Sequence, residues 1–259
     1  MLRIDDAGAP PYSTRPVQPS DALLLAGGGL VAGVVNTLAG GGSLLTVPLL
    51  TLLGLPGTVA NGTNRVGILI QNGVASWGFW REGVSGIRPA LPLVAPVAVG
   101  ALLGATLATR LTDAGFERAF GVLMLVLLVP TLRRRPAAPR RPLAPTARHA
   151  LFFAIGLYGG AFQAGVGILL LYGLAGTGSD LVRSNAVKVV LNFCFSLLVL
   201  PIFVSARQVA LPEAAALATG FAAGGWLGPR VAVRGGERII KPVLAIAVVA
   251  LAARMLGIL

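Results

Sequence analysis

Ala39-Gly40-Gly41-Gly42-Ser43-Leu44-Leu45 sits in the middle of an apolar run that extends from Ala22 to Leu55. As one helix, these 34 residues would measure about 50 Å, too long for one ordinary membrane span and too short for two. Three consecutive glycines followed by serine predict a helix that stops, turns and starts again near Leu44. Such a break is tolerated at membrane depth only where protein or a water-filled cavity satisfies the freed backbone groups. A second interruption, Ala164-Gly165-Val166-Gly167, divides the matching apolar stretch of the other half of the chain.

Composition sets the solvent. Of 259 residues, 55% are hydrophobic and 12% charged, and mean hydropathy is +0.83, far more apolar than one soluble core could hide. The chain reads as an all-α, polytopic membrane protein with apolar segments at 22–38, 63–80, 87–109, 116–132, 150–174, 186–204, 211–233 and 239–258. The first 20 residues form a polar tail with Arg3, Asp5, Asp6 and Arg15. They lack the pattern of a cleavable signal, so the first span is expected to serve as its own insertion signal.

The formal charge of +12 does not read as nucleic-acid binding. Arg133, Arg134, Arg135, Arg140, Arg141 and Arg148 crowd one Pro-rich loop, 133–148, where the positive-inside rule places a cytoplasmic segment. That loop separates a first membrane repeat, 21–132, from a second, 149–259. Gly29-Leu30-Val31-Ala32-Gly33 matches Gly156-Leu157-Tyr158-Gly159-Gly160, Asn36 falls against Gln163, and after a two-residue gap the breaks align. Arg65 aligns with Lys188, and Arg110 with Arg234. If each broken segment enters and returns on one side, three full spans remain per half and the halves become inverted. Loops 81–88, 133–148, 175–188 and 230–241 then share the cytoplasmic side with 2, 6, 2 and 4 basic residues, and Arg65 lies near the membrane edge.

The polar residues inside apolar spans define a candidate binding site. A helix restarting at Gly40, Gly41, Gly42 and Ser43 exposes free N–H groups and a partial positive charge that attract an anion, with Ser43 as cap or hydroxyl donor; Gly165 and Gly167 repeat this. Asn36 and Gln163 precede the breaks. Asn61, Asn64, Arg65, Ile68 and Asn72 share a face of one span, and Asn185, Lys188 and Asn192 a face of another. Arg65 and Lys188 either approach a bound anion or snorkel to head groups. Every Asp and Glu lies in the tail, a loop or a helix end, which disfavours a cation as substrate. His149 has no partners for zinc and no enzyme signature is present, so neither metal, cofactor nor catalytic residue is expected. Cys194, the single cysteine, reads as packing. The tryptophans at 77, 80 and 226, with Tyr158 and Tyr172, read as interface anchors or packing groups.

Gly29-x3-Gly33-x6-Gly40-Gly41-Gly42-Ser43-x4-Pro48, then Pro56 and Ala60-Asn61-Gly62-Thr63-Asn64, with a repeated half after an Arg-rich loop, resembles the TauE/SafE, or sulfite exporter, family. The resemblance covers about residues 20–257. It implies a secondary transporter or facilitator in the bacterial inner membrane that moves a sulfur-containing anion such as sulfite, an organosulfonate or thiosulfate. The partners so expected are that small anion and the bilayer; a homodimer is one open oligomeric arrangement. An anion channel, or a membrane-embedded enzyme or scaffold, remains as the alternative. The second half departs from the pattern, lacking the full Gly-Gly-Gly-Ser and the proline matching Pro48. Its break is therefore expected to be milder, and the first break to hold substrate more tightly.

Overall fold

The computed structural model describes residues 17–132, 143–175 and 180–234. The N-terminal tail to residue 16, most of the Arg-rich loop and the apolar segment 239–258 lie outside them. The described residues form nine helices: α1 (Pro19–Ala39), α2 (Ser43–Leu52), α3 (Gly57–Arg81), α4 (Ile87–Ala108), α5 (Asp113–Leu132), α6 (Pro145–Phe162), α7 (Val166–Ala175), α8 (Leu181–Ser205) and α9 (Leu211–Val233). By length and composition, α1, α4 and α8 are each long and apolar enough to cross a membrane.

Both predicted interruptions are present. Gly40 ends α1 in the left-handed region, at φ 81°, and α2 begins at Ser43. The second break is not milder. Gln163 ends α6 at φ 59°, and α7 starts at Val166, so the expected 150–174 segment is two helices and Gly167 lies inside the second. Ser43 does not cap α2; Gly42 holds that position and no side chain caps it.

Each short helix turns back along its predecessor. Gly28 of α1 lies against Leu49 of α2 and Gly42 against Ala32 and Asn36; in the same way Gly159 meets Val166, and Gly173 meets Ile155 and Phe152. The short helices have 10 residues each, about 15 Å, so neither hairpin returns the full length of a span.

The longer helices pack through small residues that let backbones approach closely. Helix α1 runs parallel to α9, with Gly29 on Leu217, Gly33 on Gly224 and Thr37 on Gly228, while α4 runs parallel to α6, with Val97 on Gly156 and Ala101 on Gly160. Helices α3 and α8 cross antiparallel at the centre: Gly62 lies against Phe203 and Gln208, and Gly73 against Phe193.

These directions gather Arg81, Arg88, Arg148, Arg183, Arg230 and Arg234, with Glu82 and Asp180, at one end of the bundle. The opposite end holds Arg110, Arg118 and Arg207 with Asp21, Asp113, Glu117 and Glu213. Contacts fix these groupings: Arg230 Nε stands 4.0 Å from Glu82 Oε1, Thr58 Oγ1 donates to Asp113 Oδ1 at 2.6 Å, and Gln208 Nε2 donates to the Thr109 carbonyl.

The exterior is apolar. Leu23, Leu91, Val99, Leu107, Val126 and Leu211 are all more than half exposed, whereas Arg65, Lys188, Gln71 and Asn64 are wholly buried. That inversion of a soluble protein's pattern is what a lipid-facing surface around a polar centre requires.

Candidate anion site at two helix breaks

Gly40 and Gly167 meet at the centre of the molecule. A Cβ on Gly40 would stand 2.5 Å from Gly167 Cα, and one on Gly167 would stand 2.5 Å from Gly40 Cα, so the two breaks touch backbone to backbone. Only glycine permits this approach at Gly40, whose φ also strains any other residue. Leu44 reaches across to Gly165.

Breaking α1 and α6 frees carbonyls at their C-termini, and each set is held by a buried cation. Lys188 Nζ donates to the carbonyls of Asn36 and Thr37, both at 2.7 Å, and to Asn185 Oδ1 at 2.8 Å. Arg65 donates through Nη1 and Nη2 to the carbonyls of Gly159, Gly160 and Ala161, and through Nη1 to Gln163 Oε1 at 3.0 Å. Its guanidinium also lies 4.3 Å from the Phe203 ring centroid. Both side chains are fully buried at the breaks. Arg65 is thus not near a membrane edge, Lys188 is not a loop charge, and neither snorkels.

The same structural positions recur at a constant numbering difference of 123 (166 against 43): Ser43–Leu52 falls on Val166–Ala175, Arg65 on Lys188, and the carbonyls of residues 36 and 37 on those of 159 and 160. This corrects the two-residue gap expected from the sequence. Gln163 corresponds to Gly40, and Asn36 to Gly159.

Asparagines and glutamines join the breaks to α3 and α8. Asn36 Nδ2 donates to Gln71 Oε1 at 2.6 Å, and Gln71 Nε2 to Thr37 Oγ1 at 2.7 Å. Asn64 leaves the face shared by Asn61 and Arg65 and turns to α2, donating to Ser43 Oγ at 3.1 Å and accepting from Thr46 Oγ1 at 2.6 Å. Asn61 Nδ2 donates to the Ala161 carbonyl, and Gln163 Nε2 to Asn192 Oδ1 at 3.3 Å. Tyr158, read as an anchor or packing group, is part-buried and donates to the Ala164 carbonyl at 2.6 Å, inside the second break. All the predicted polar site residues are therefore buried, and they form linked clusters around the two breaks. Sequence reasoning misses Thr37, Thr46, Tyr158 and Ser196 as members of this buried polar centre; the signal for Ser196 is its four-residue spacing from Asn192, and Gln71, in the polar cluster that follows Arg65, stands two turns after Asn64.

The arrangement favours negative charge. The N–H groups of Gly41, Gly42 and Ser43 at α2, and of Ala164, Gly165 and Gly167 at α7, have no acceptor among the described residues. Two helix N-termini therefore converge where the opposing carbonyl ends are already covered by Arg65 and Lys188. Among the described residues no buried carboxylate accompanies them, and no group of three metal-ligating side chains is present.

A helical molecule with an apolar exterior, paired helix breaks and a buried cationic centre has the makings of a membrane transporter. Comparison with known proteins identifies the family. Residues 25–255 match the family model described as sulfite exporter TauE/SafE, and the chain belongs to that family of membrane transporters. It is 30% identical over 236 residues to a Sinorhizobium sp. protein named probable membrane transporter protein ORF9, covering 88% of this chain and 89% of that one. A Haemophilus influenzae protein named probable membrane transporter protein is 27% identical over 233 residues, with 88% and 91% of the two chains covered. The Escherichia coli K12 protein named probable membrane transporter protein YfcA is 26% identical over 235 residues, covering 88% and 86%.

Proposed function

We propose that this protein is a secondary transporter or facilitator of a small sulfur-containing oxyanion, sulfite, an organosulfonate or thiosulfate, across the bacterial inner membrane. It works by alternating access around a site between the two breaks. The observation that carries this reading is the convergence of two uncapped helix N-termini in a buried centre that holds Arg65 and Lys188 and no carboxylate among the described residues. An oxyanion matches such a centre because it accepts hydrogen bonds in several directions and carries the opposite charge. The names of the relatives give transport without a substrate, and the family's description supplies sulfite as the first anion to test.

The two halves form an inverted repeat in this reading. The constant numbering difference supports equivalence of α3 with α8, and these helices run antiparallel, as inversion requires. The pairing of α1 with α9 and of α6 with α4 is the exchange expected across a pseudo-two-fold axis. The arginine-rich end, which receives the ends of α3, α5 and α9 and the starts of α4, α6 and α8, faces the cytoplasm by the positive-inside rule.

Purified protein in proteoliposomes is expected to take up labelled sulfite in a saturable way, and uptake no greater than in protein-free liposomes removes the reading. For the topology, single cysteines at Arg88 and Arg234 in a Cys194→Ser background should be labelled from the cytoplasmic side, and one at Arg207 from the other. Labelling of positions 88 and 234 from opposite sides contradicts inversion.

A further inference from the structure

The two breaks differ in which polar groups are left without partners. At the first, Ser43, Thr46 and Asn64 bond to one another, and Asn36, Thr37 and Gln71 do the same. At the second, Gln163 is a hub: its Oε1 accepts from Arg65 and its Nε2 donates to Asn192 Oδ1. Around that hub, Arg65 Nε and Asn192 Nδ2 have no hydrogen-bond partner among the described residues. Ser196 follows Asn192 by four residues, on the same face of α8, and its Oγ has none either. Arg65, Asn192 and Ser196 are 0%, 1% and 0% exposed.

A buried donor without a partner carries a desolvation penalty, so Arg65 Nε and Asn192 Nδ2 at that hub, with the Ser196 hydroxyl one turn along α8, call for an acceptor that fills the site. Asn61 Oδ1 and Asn72 Oδ1, both on α3, are buried acceptors without a partner, the first bound through the same amide to the Ala161 carbonyl that Arg65 also contacts. These donors, together with the free N–H groups that begin α7, outnumber the two acceptors and fit an anion with several acceptor oxygens.

We infer that the oxyanion is held at the second break, by Arg65 Nε, Asn192 Nδ2 and Ser196 Oγ with the N-terminus of α7, and that the first break is mainly a structural counterpart. This rests on the transport reading above and reverses the order of affinity that the fuller Gly-Gly-Gly-Ser motif suggests. Arg65 then has two roles on different nitrogens: its Nη atoms hold the end of α6, and its Nε faces the anion. Asn192 and Ser196 have no polar equivalents in the first half, where Leu69 and Gly73 stand at the corresponding positions.

Ser196→Ala is the informative substitution because it deletes only a hydroxyl that bonds to nothing in the described residues. Without anion, Ser196→Ala should unfold in detergent at or above the wild-type temperature. With sulfite, its thermal stabilisation should fall to less than half the wild-type shift. In proteoliposomes, Ser196→Ala and Asn192→Ala should each raise the KM for sulfite about tenfold, and Ser43→Ala and Asn64→Ala by less. The inference is overturned if the wild type transports sulfite while Ser196→Ala and Asn192→Ala keep its KM, or if the first-break variants lose more. A wild type that neither transports nor is stabilised by sulfite instead removes the transport reading itself, and this inference with it.

Discussion

Lys188→Met is expected to destabilise the folded protein severely, and not merely to slow transport. Methionine fills the volume but orphans the Thr37 carbonyl and Asn185 Oδ1, while the Asn36 carbonyl keeps only the Gly40 N–H. Each orphaned buried acceptor costs about 1–3 kcal/mol, a large part of a typical folding free energy. Arg65→Met strands the Gly160 carbonyl and Gln163 Oε1 in the same way, while the Gly159 and Ala161 carbonyls keep the Gln163 N–H and Asn61 Nδ2. Detergent-solubilised variants should show this as a large fall in unfolding temperature without any anion present. Lys188→Arg should keep most of the stability, since a guanidinium already does the equivalent work at the other break; Arg65→Lys should keep less, having fewer donors for three carbonyls and Gln163. If Lys188 were only a substrate ligand, Lys188→Met would lose transport at unchanged thermal stability.

The second large effect lies where the breaks touch. Gly40→Ala places a Cβ into the backbone of Gly167 and forces alanine to φ 81°. Backbone strain alone is about 1–3 kcal/mol, and the clash adds to it because neither backbone can move without separating the hairpins. Gly54→Ala isolates the strain term, as Gly54 has φ 94° but no atom within 4 Å of where the new methyl would stand. Gly40→Ala should therefore lower the unfolding temperature much more than Gly54→Ala, and Gly167→Ala should resemble Gly40→Ala although it sits in ordinary helix. Equal effects at Gly40 and Gly54 would mean that the two breaks are not in contact.

Much of this is legible from residue type and spacing. Glycine and serine in an apolar run mark the first break, and polar side chains at three- and four-residue spacing mark the faces of α3 and α8 that turn inward. Arg65 and Lys188, which the sequence aligns with each other, each hold carbonyls freed at one break. The roles of these cations are not legible, because their acceptors lie 94 and 152 residues away in the opposite half. Register is misleading at the second break, where Gln163 takes the left-handed position that glycine holds at the first. Chemical resemblance between Asn36 and Gln163 suggests equivalence; backbone position makes Gly40 the counterpart. The strength of the glycine motif is likewise a guide to close packing at the first break, and the unpartnered donors gather at the second.

The central claim is that a small oxyanion crosses the bilayer through this protein as charge. The most direct measurement is the initial rate of labelled sulfite entry into proteoliposomes under an imposed membrane potential. Saturable entry that quickens when the interior is made positive, and is competed by thiosulfate or an organosulfonate, is the predicted result; 100 mV biases a single charge by about 2.3 kcal/mol. Protein-dependent movement of a cation with no effect of sulfur oxyanions, or sulfite entry equal to that of empty liposomes, would contradict it.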